Sequence, residues 1–171
     1  MLRNLLICLS AVGFLAGCVT TKDWGEAVLS DGLDTMPVMY CTTDNSPATK
    51  ADWSKATVVK ESVKDRLYES GLMTLWHAKP YVIHITNNDT GVRSFRAPEF
   101  LRDVAILKAV YKGKAFETPC LNALTLASGT TAELHVVPLK PGYYDYHETG
   151  IWVPFMGEWA TSADVGVIYV Q

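Results

Sequence analysis

A surplus of charge of either sign is what this 171-residue chain most plainly lacks. It carries 15 Lys and Arg against 18 Asp and Glu, a formal net charge of −3. Nucleic-acid binders gather positive charge to meet phosphates, so this mild acidity argues against that class of partner. A spanning hydrophobic run is missing as well. The apolar stretch at residues 5–15 is broken by Ser10 and falls short of the roughly 20 residues that cross a bilayer. Cysteine is scarce, at positions 8, 18, 41 and 120. No histidine lies close in sequence to Cys41 or Cys120, which argues against a thiolate metal site. Catalytic patterns are absent too: there is no nucleophile-elbow serine, no pair of histidines at helical spacing and no phosphate-cradling glycine loop. "HETG" at His147 begins like a zinc-protease helix but has no second histidine, and "ASGTTAE" reads as a strand turn. Enzyme activity is therefore not expected. No repeat or low-complexity tract occurs.

What is present begins at the N-terminus. Arg3 followed by the short apolar run reads as a secretory signal over residues 1–17. Its end, Leu15-Ala16-Gly17-Cys18, resembles the bacterial lipobox, in which the cysteine is lipidated and becomes the new terminus. Acyl chains on Cys18 would hold the protein firmly in a membrane, since each buried methylene adds about 0.8 kcal/mol. The resemblance implies an envelope lipoprotein of a bacterium. Val19, rather than Asp, after the cysteine favours the periplasmic face of the outer membrane. Loss of Arg3 leaves 14 Lys and Arg against 18 Asp and Glu, a net −4. Cys8 leaves with the signal, and Cys41 and Cys120 remain in an oxidising compartment where thiols pair. A disulfide between them is expected. Loop-entropy models give closure of such a loop about 4–5 kcal/mol, less any strain.

Residues 18–56 read as a lipidated tether and lead-in, with turn chemistry at Thr42-Thr43-Asp44-Asn45-Ser46-Pro47. From residue 57 to 171, short apolar runs alternate with turn signals, the mark of an all-β sandwich or barrel. In "YVIHIT", Tyr81, Ile83 and Ile85 point one way and Val82, His84 and Thr86 the other. "AELHVVPL" and the closing "DVGVIYVQ" behave similarly. One helix is predicted over "APEFLRDVAILKAVY": Pro98 suits a first turn and Glu99 its positive end. Phe100, Val104 and Leu107 share a face, Leu101, Ala105 and Lys108 lie beside them, and Arg102 and Asp103 are left to water.

Together, "KPYVIHITNND", "RSFRAPEF", "LASGTTAELHVVPLKPGYYDY" and "MGEW" before "VGVIYVQ" resemble small periplasmic cupredoxin-like proteins. "APEF" and "PGYYDY" are the specific parts, and the likeness covers about residue 57 to the last residue. It implies an all-β, cupredoxin-like Greek-key β-sandwich with one short helix. It further implies a metal site at one end, built from a turn histidine and from Cys, His and Met of the C-terminal loop. Carried over by position, the turn histidine falls on Arg93, the cysteine on Glu148 and the closing histidine near Val153 or Pro154. Only Met156 matches its counterpart. Type-1 copper is accordingly not expected, although copper at some other site stays open.

Arg93 and Glu148 are expected either to form a charge-assisted pair where the metal would stand, or to lie solvated at the sandwich rim. Alternation puts Tyr144, Tyr146 and Glu148 on one strand face and Tyr143, Asp145 and His147 on the other. His147 with Met156 is the candidate noncanonical metal pair, weighed against an ordinary surface histidine; His77, His84 and His135 merit the same surface reading. Trp152 and Phe155, in the apolar "GIWVPF", suggest a docking face for an unknown envelope protein, whereas Tyr144 and Tyr146 suggest packing. Three functions follow: a copper-free lipoprotein acting by protein contact, a metal-uptake accessory, or an electron-transfer protein.

Overall fold

The computed structural model describes residues 32–34, 44–117, 120–148, 151–153, 157–159 and 165–171, the segments 32–34, 151–153 and 157–159 as backbone strands only. Cys18, Cys41, Phe155 and Met156, and the side chain of Trp152, lie outside that description.

The strands are β1 (Gly32–Asp34), β2 (Thr57–Lys64), β3 (Leu67–Tyr68), β4 (Leu72–Leu75), β5 (Tyr81–Asn87), β6 (Arg93–Arg96) and β7 (Val104–Tyr111). They continue with β8 (Lys114–Phe116), β9 (Ala123–Leu126), β10 (Thr131–Pro138), β11 (Gly142–His147), β12 (Ile151–Val153), β13 (Gly157–Trp159) and β14 (Val165–Val170). Among the described residues there are also two short helices, α1 (Ser46–Lys50) and α2 (Pro98–Arg102), and a 3-10 turn at Trp53–Lys55. One sheet runs β1-β9-β6-β11-β14-β4 and the other β3-β2-β5-β10-β7-β8, with β12 and β13 paired as a separate ribbon. The chain crosses repeatedly between the two sheets, and β5 pairs parallel to β2 while β4 pairs parallel to β14. The expected all-β Greek-key sandwich is present.

Alternation builds the core. Along β5 the odd positions Tyr81, Ile83 and Ile85 are buried and the residues between them half-buried, as a strand with one face on a core requires. Facing them from the other sheet are Phe95, Leu124, Tyr144, Tyr146, Ile168 and Val170. Each large side chain so buried contributes about 1.5–3 kcal/mol of apolar transfer.

The predicted helix is corrected in extent. α2 stops after Arg102, and Val104, Leu107 and their neighbours form strand β7. The sequence misleads because β7 is buried on both faces where it begins, at Val104, Ala105 and Ile106. Without polar alternation, such a run mimics a helix face. Its outer side is covered by α1 from the lead-in, which contributes a second helix where one was expected. Ala48, Ala105 and Val137 pack with Trp53 and Leu107 in a small satellite cluster. The Trp53 indole donates to Ala48 O at 2.9 Å, and Asn45 Oδ1 accepts from the Ile106 backbone N–H at 3.0 Å. β1 adds a further edge strand to β9. The lead-in thus supplies parts of the sandwich before residue 57.

Candidate functional site

The turn after β5 is organised by one buried amide. Asn87 Nδ2 donates to Gly91 O and Leu126 O, each at 2.8 Å, and Asn87 Oδ1 accepts from the Asp89 N–H at 2.9 Å. With three of its hydrogen bonds directed at backbone, Asn87 holds the turn in one shape. That shape points Asp89 at the start of β6, where Arg93 stands. Asp89 Oδ2 accepts from Arg93 Nε at 2.7 Å and from the Arg66 backbone N–H at 3.0 Å.

On its other side the Arg93 guanidinium meets β11. Arg93 Nη1 lies 3.2 Å from Glu148 Oε1, one residue beyond the end of that strand. The structure therefore brings together the two residues that fall on the turn-histidine and cysteine positions of the resembled family. The Arg93 side chain is 19% exposed and that of Glu148 only 9%, so this is a largely desolvated ion pair. Burial raises the Glu148 pKa above its ordinary value and the Asp89 charge adds to that, while the positive charges of Arg93 and Arg66 oppose it. Asp89 moves the other way, lowered chiefly by its hydrogen bond from Arg93. Glu148 Oε2 is buried without a hydrogen-bond partner among the described residues.

Beneath the pair lies a second polar contact that sequence reasoning missed. Glu61, fully buried on β2, accepts from the Tyr146 hydroxyl at 2.6 Å through Oε2. Its Oε1 accepts from the Ser62 and Ser70 N–H groups at 3.0 and 3.1 Å. The Tyr146 ring packs edge-on to Tyr68 and tilted against Phe95, and lies over Gly166, where any Cβ would overlap it. The signal for Glu61 was available: in "TVVKESVK", Val59, Glu61 and Val63 share one strand face, which places a carboxylate in line with core residues. Asp89 was legible only as a turn residue. Tyr144 packs against Phe100 and donates to Lys140 O at 3.0 Å, the packing role expected of it.

His147 projects from the opposite face of β11 to Glu148 and sits in register with Arg96, so the two do not share a site. His84 and His135 flank Glu133 on the outer face of the other sheet, at 3.9 and 3.3 Å. Burial lowers the pKa of His135, whose ring packs 5.4 Å from that of Trp53. Among the described residues no three His, Cys, Asp or Glu side chains form a group able to hold a metal. The copper that the resembled family implies does not fit the residues described here. A guanidinium at 3.2 Å from the carboxylate presents a fixed positive charge where neutral imidazole and thiolate donors would be needed. Cys120 is buried.

No protein-family model matches the chain, and no curated protein matches it. Solved structures with a similar course are cupredoxins. A methionine-to-alanine variant of amicyanin with Cu(I) is 13% identical over 72% of this chain and 89% of that one, at a TM-score of 0.37. A proline-to-phenylalanine variant of amicyanin in its reduced state is 16% identical over the same shares, at 0.37. A multicopper oxidase is 12% identical over 67% of this chain and 43% of that one, at 0.43. These overlaps are loose, and the fold assignment rests on the strand order and registers described above.

Proposed function

We propose that the chain is a copper-free, cupredoxin-like lipoprotein, anchored through Cys18 in a bacterial envelope, that works by contact with another envelope protein. The observation that carries the first part is the Asp89–Arg93–Glu148 ion network. It sets one guanidinium between two carboxylates at the end of the sandwich where the resembled family holds its metal. An electron-transfer role has no thiolate to support it, because Glu148 stands at the cysteine position. Contact with a partner is supported by the apolar loop sequence around Trp152 and Phe155. A disulfide between Cys41 and Cys120 is part of the proposal, supported by the oxidising compartment that a secreted chain enters and by the burial of Cys120. No catalytic role is assigned.

Elemental analysis and visible absorption of the mature protein, purified from its own envelope, test the reading. A colourless, metal-free protein with an acylated Cys18 is expected. Stoichiometric copper without colour would transfer the assignment to a metal-uptake accessory using His147 and Met156. An intense blue colour would restore electron transfer. Peptide mapping without reductant tests the disulfide.

A further inference from the structure

The two outer faces of the sandwich differ in kind. On the sheet containing β2, β5, β10 and β7, the outward rows run Lys60, His84 and Glu133, then Ser62, Thr86 and Thr131, with Lys108 beside His135. Apart from Val58, Val82 and Val110, and the patch at Ala105 and Val137 that α1 covers, that face is polar, as a sheet facing water should be. The other sheet breaks this rule. Outward from β14 point Val165, Val167 and Tyr169, three apolar or aromatic residues where alternation would place polar ones. Register sets Leu72 beside Val167, and Thr74 and Tyr143 on either side of Tyr169. Leu72 is 56% exposed and Tyr143 is 72% exposed. The Tyr143 and Tyr169 rings stack at 4.4 Å. Just past β4, the exposed Trp76 continues the patch, with Lys79 Nζ 5.6 Å above its ring. Among the described residues β4 pairs only with β14 and forms the edge of the sheet. Asp145 and His147 lie toward β11, so the apolar part is weighted to the β4–β14 side.

We propose that this β4–β14 face rests on the surface of the lipid bilayer, a placement that depends on the lipid anchor of the preceding section. Two features of the molecule favour lipid over other occupants. The composition is that of a bilayer interface, where Trp and Tyr sit at headgroup depth with their apolar bodies inward and Lys extends its ammonium to phosphates. No helix among the described residues is long and apolar enough to cross a membrane, and the contact proposed here is one of surface. The second feature is chain length. Cys18 precedes the first residue of β1 by 14 positions, which reach at most about 50 Å when fully extended. β1 opens the same sheet that β4 closes, and six strands span about 24 Å at the usual spacing. The tether, about twice as long as the sheet is wide, therefore suffices for the β4 edge to reach the bilayer. An intramolecular contact of this kind works at an effective concentration on the order of millimolar, so a modest apolar patch is enough. In that pose the polar sheet with His84 and Glu133 faces the aqueous compartment, available to a protein partner.

Quenching by lipid-borne nitroxides tests the pose. The full lipidated chain is placed in vesicles of phosphatidylethanolamine and phosphatidylglycerol with nitroxides on the acyl chains. A fluorophore is attached at Leu72→Cys or Val165→Cys on one face, or at Lys60→Cys or Thr131→Cys on the other. The expected result is quenching several-fold stronger at positions 72 and 165 than at 60 and 131. Equal, weak quenching at all four positions in chains that float with the vesicles overturns the pose and leaves the anchor intact. Cross-linking of Leu72→Cys between two chains, without quenching, also overturns it and assigns the face to a second copy. Chains that do not float with vesicles at all overturn the anchor, and the pose with it.

Discussion

Replacing Arg93 by Met keeps an unbranched apolar stem and removes the positive charge between Asp89 and Glu148. Arg93 lies 2.7 Å from one carboxylate and 3.2 Å from the other. Breaking a buried ion pair from one side costs about 3–5 kcal/mol, because the remaining charge is left uncompensated. Arg93 is partly exposed and Asp89 keeps the Arg66 N–H, so the low end applies, about 3 kcal/mol. The sign with pH follows from both acids. Glu148 already has a raised pKa in the folded protein, so its ionisation lowers stability as pH rises above its unfolded value and through the folded one. Without Arg93 this penalty grows. Asp89 has a lowered pKa in the folded protein, so it stabilises the fold above its unfolded value and ceases to do so as pH falls through the folded one. Arg93→Met removes most of that gain. Both acids make the deficit largest at pH 7–8 and smallest at acid pH.

Urea denaturation followed by circular dichroism at about pH 5 and pH 8 reads this directly. Adding Glu148→Gln to Arg93→Met should recover about 1–2 kcal/mol at pH 8, because the neutral amide removes the unpaired charge. A single-variant loss under about 0.5 kcal/mol at pH 8 is what an exposed surface pair would give. That result, or a deficit that grows toward acid, would refute the reasoning.

Tyr146→Phe leaves Glu61 Oε2 buried without its donor; a loss of about 1–3 kcal/mol in chemical denaturation is expected. Gly166→Ala drives a methyl into the Tyr146 ring and should destabilise by about 1–3 kcal/mol; a change smaller than its error would show that the strands can part there. Asn87→Ala strips the donors from Gly91 O and Leu126 O, with an expected loss of about 2 kcal/mol. Because Asn87 shapes the turn that carries Asp89, amide exchange over residues 88–92 should accelerate in that variant more than exchange in β10.

Much of the sandwich was legible in residue order because a strand's two faces follow from local geometry. Tyr81, Ile83 and Ile85 are buried while their neighbours are not, and Glu148 and His147 lie on opposite sides of β11. The Arg93–Glu148 contact was within reach of positional resemblance, since both residues fall where the likeness puts facing ligands. Other features depended on partners far away in the chain. Val104 to Tyr111 had an apolar spacing that fits helix as well as strand. Pairing with β10, and the cover that α1 gives Ala105, made it a strand. Asp89 became an ion-pair partner only because Asn87 folds its turn back toward β6. Glu61 tolerates burial because Tyr146, 85 positions later, donates to one oxygen and the Ser62 and Ser70 N–H groups donate to the other. Periodicity is written into a segment by its own side chains. Which buried charge meets which donor is decided where distant segments pack, and that belongs to the tertiary structure alone.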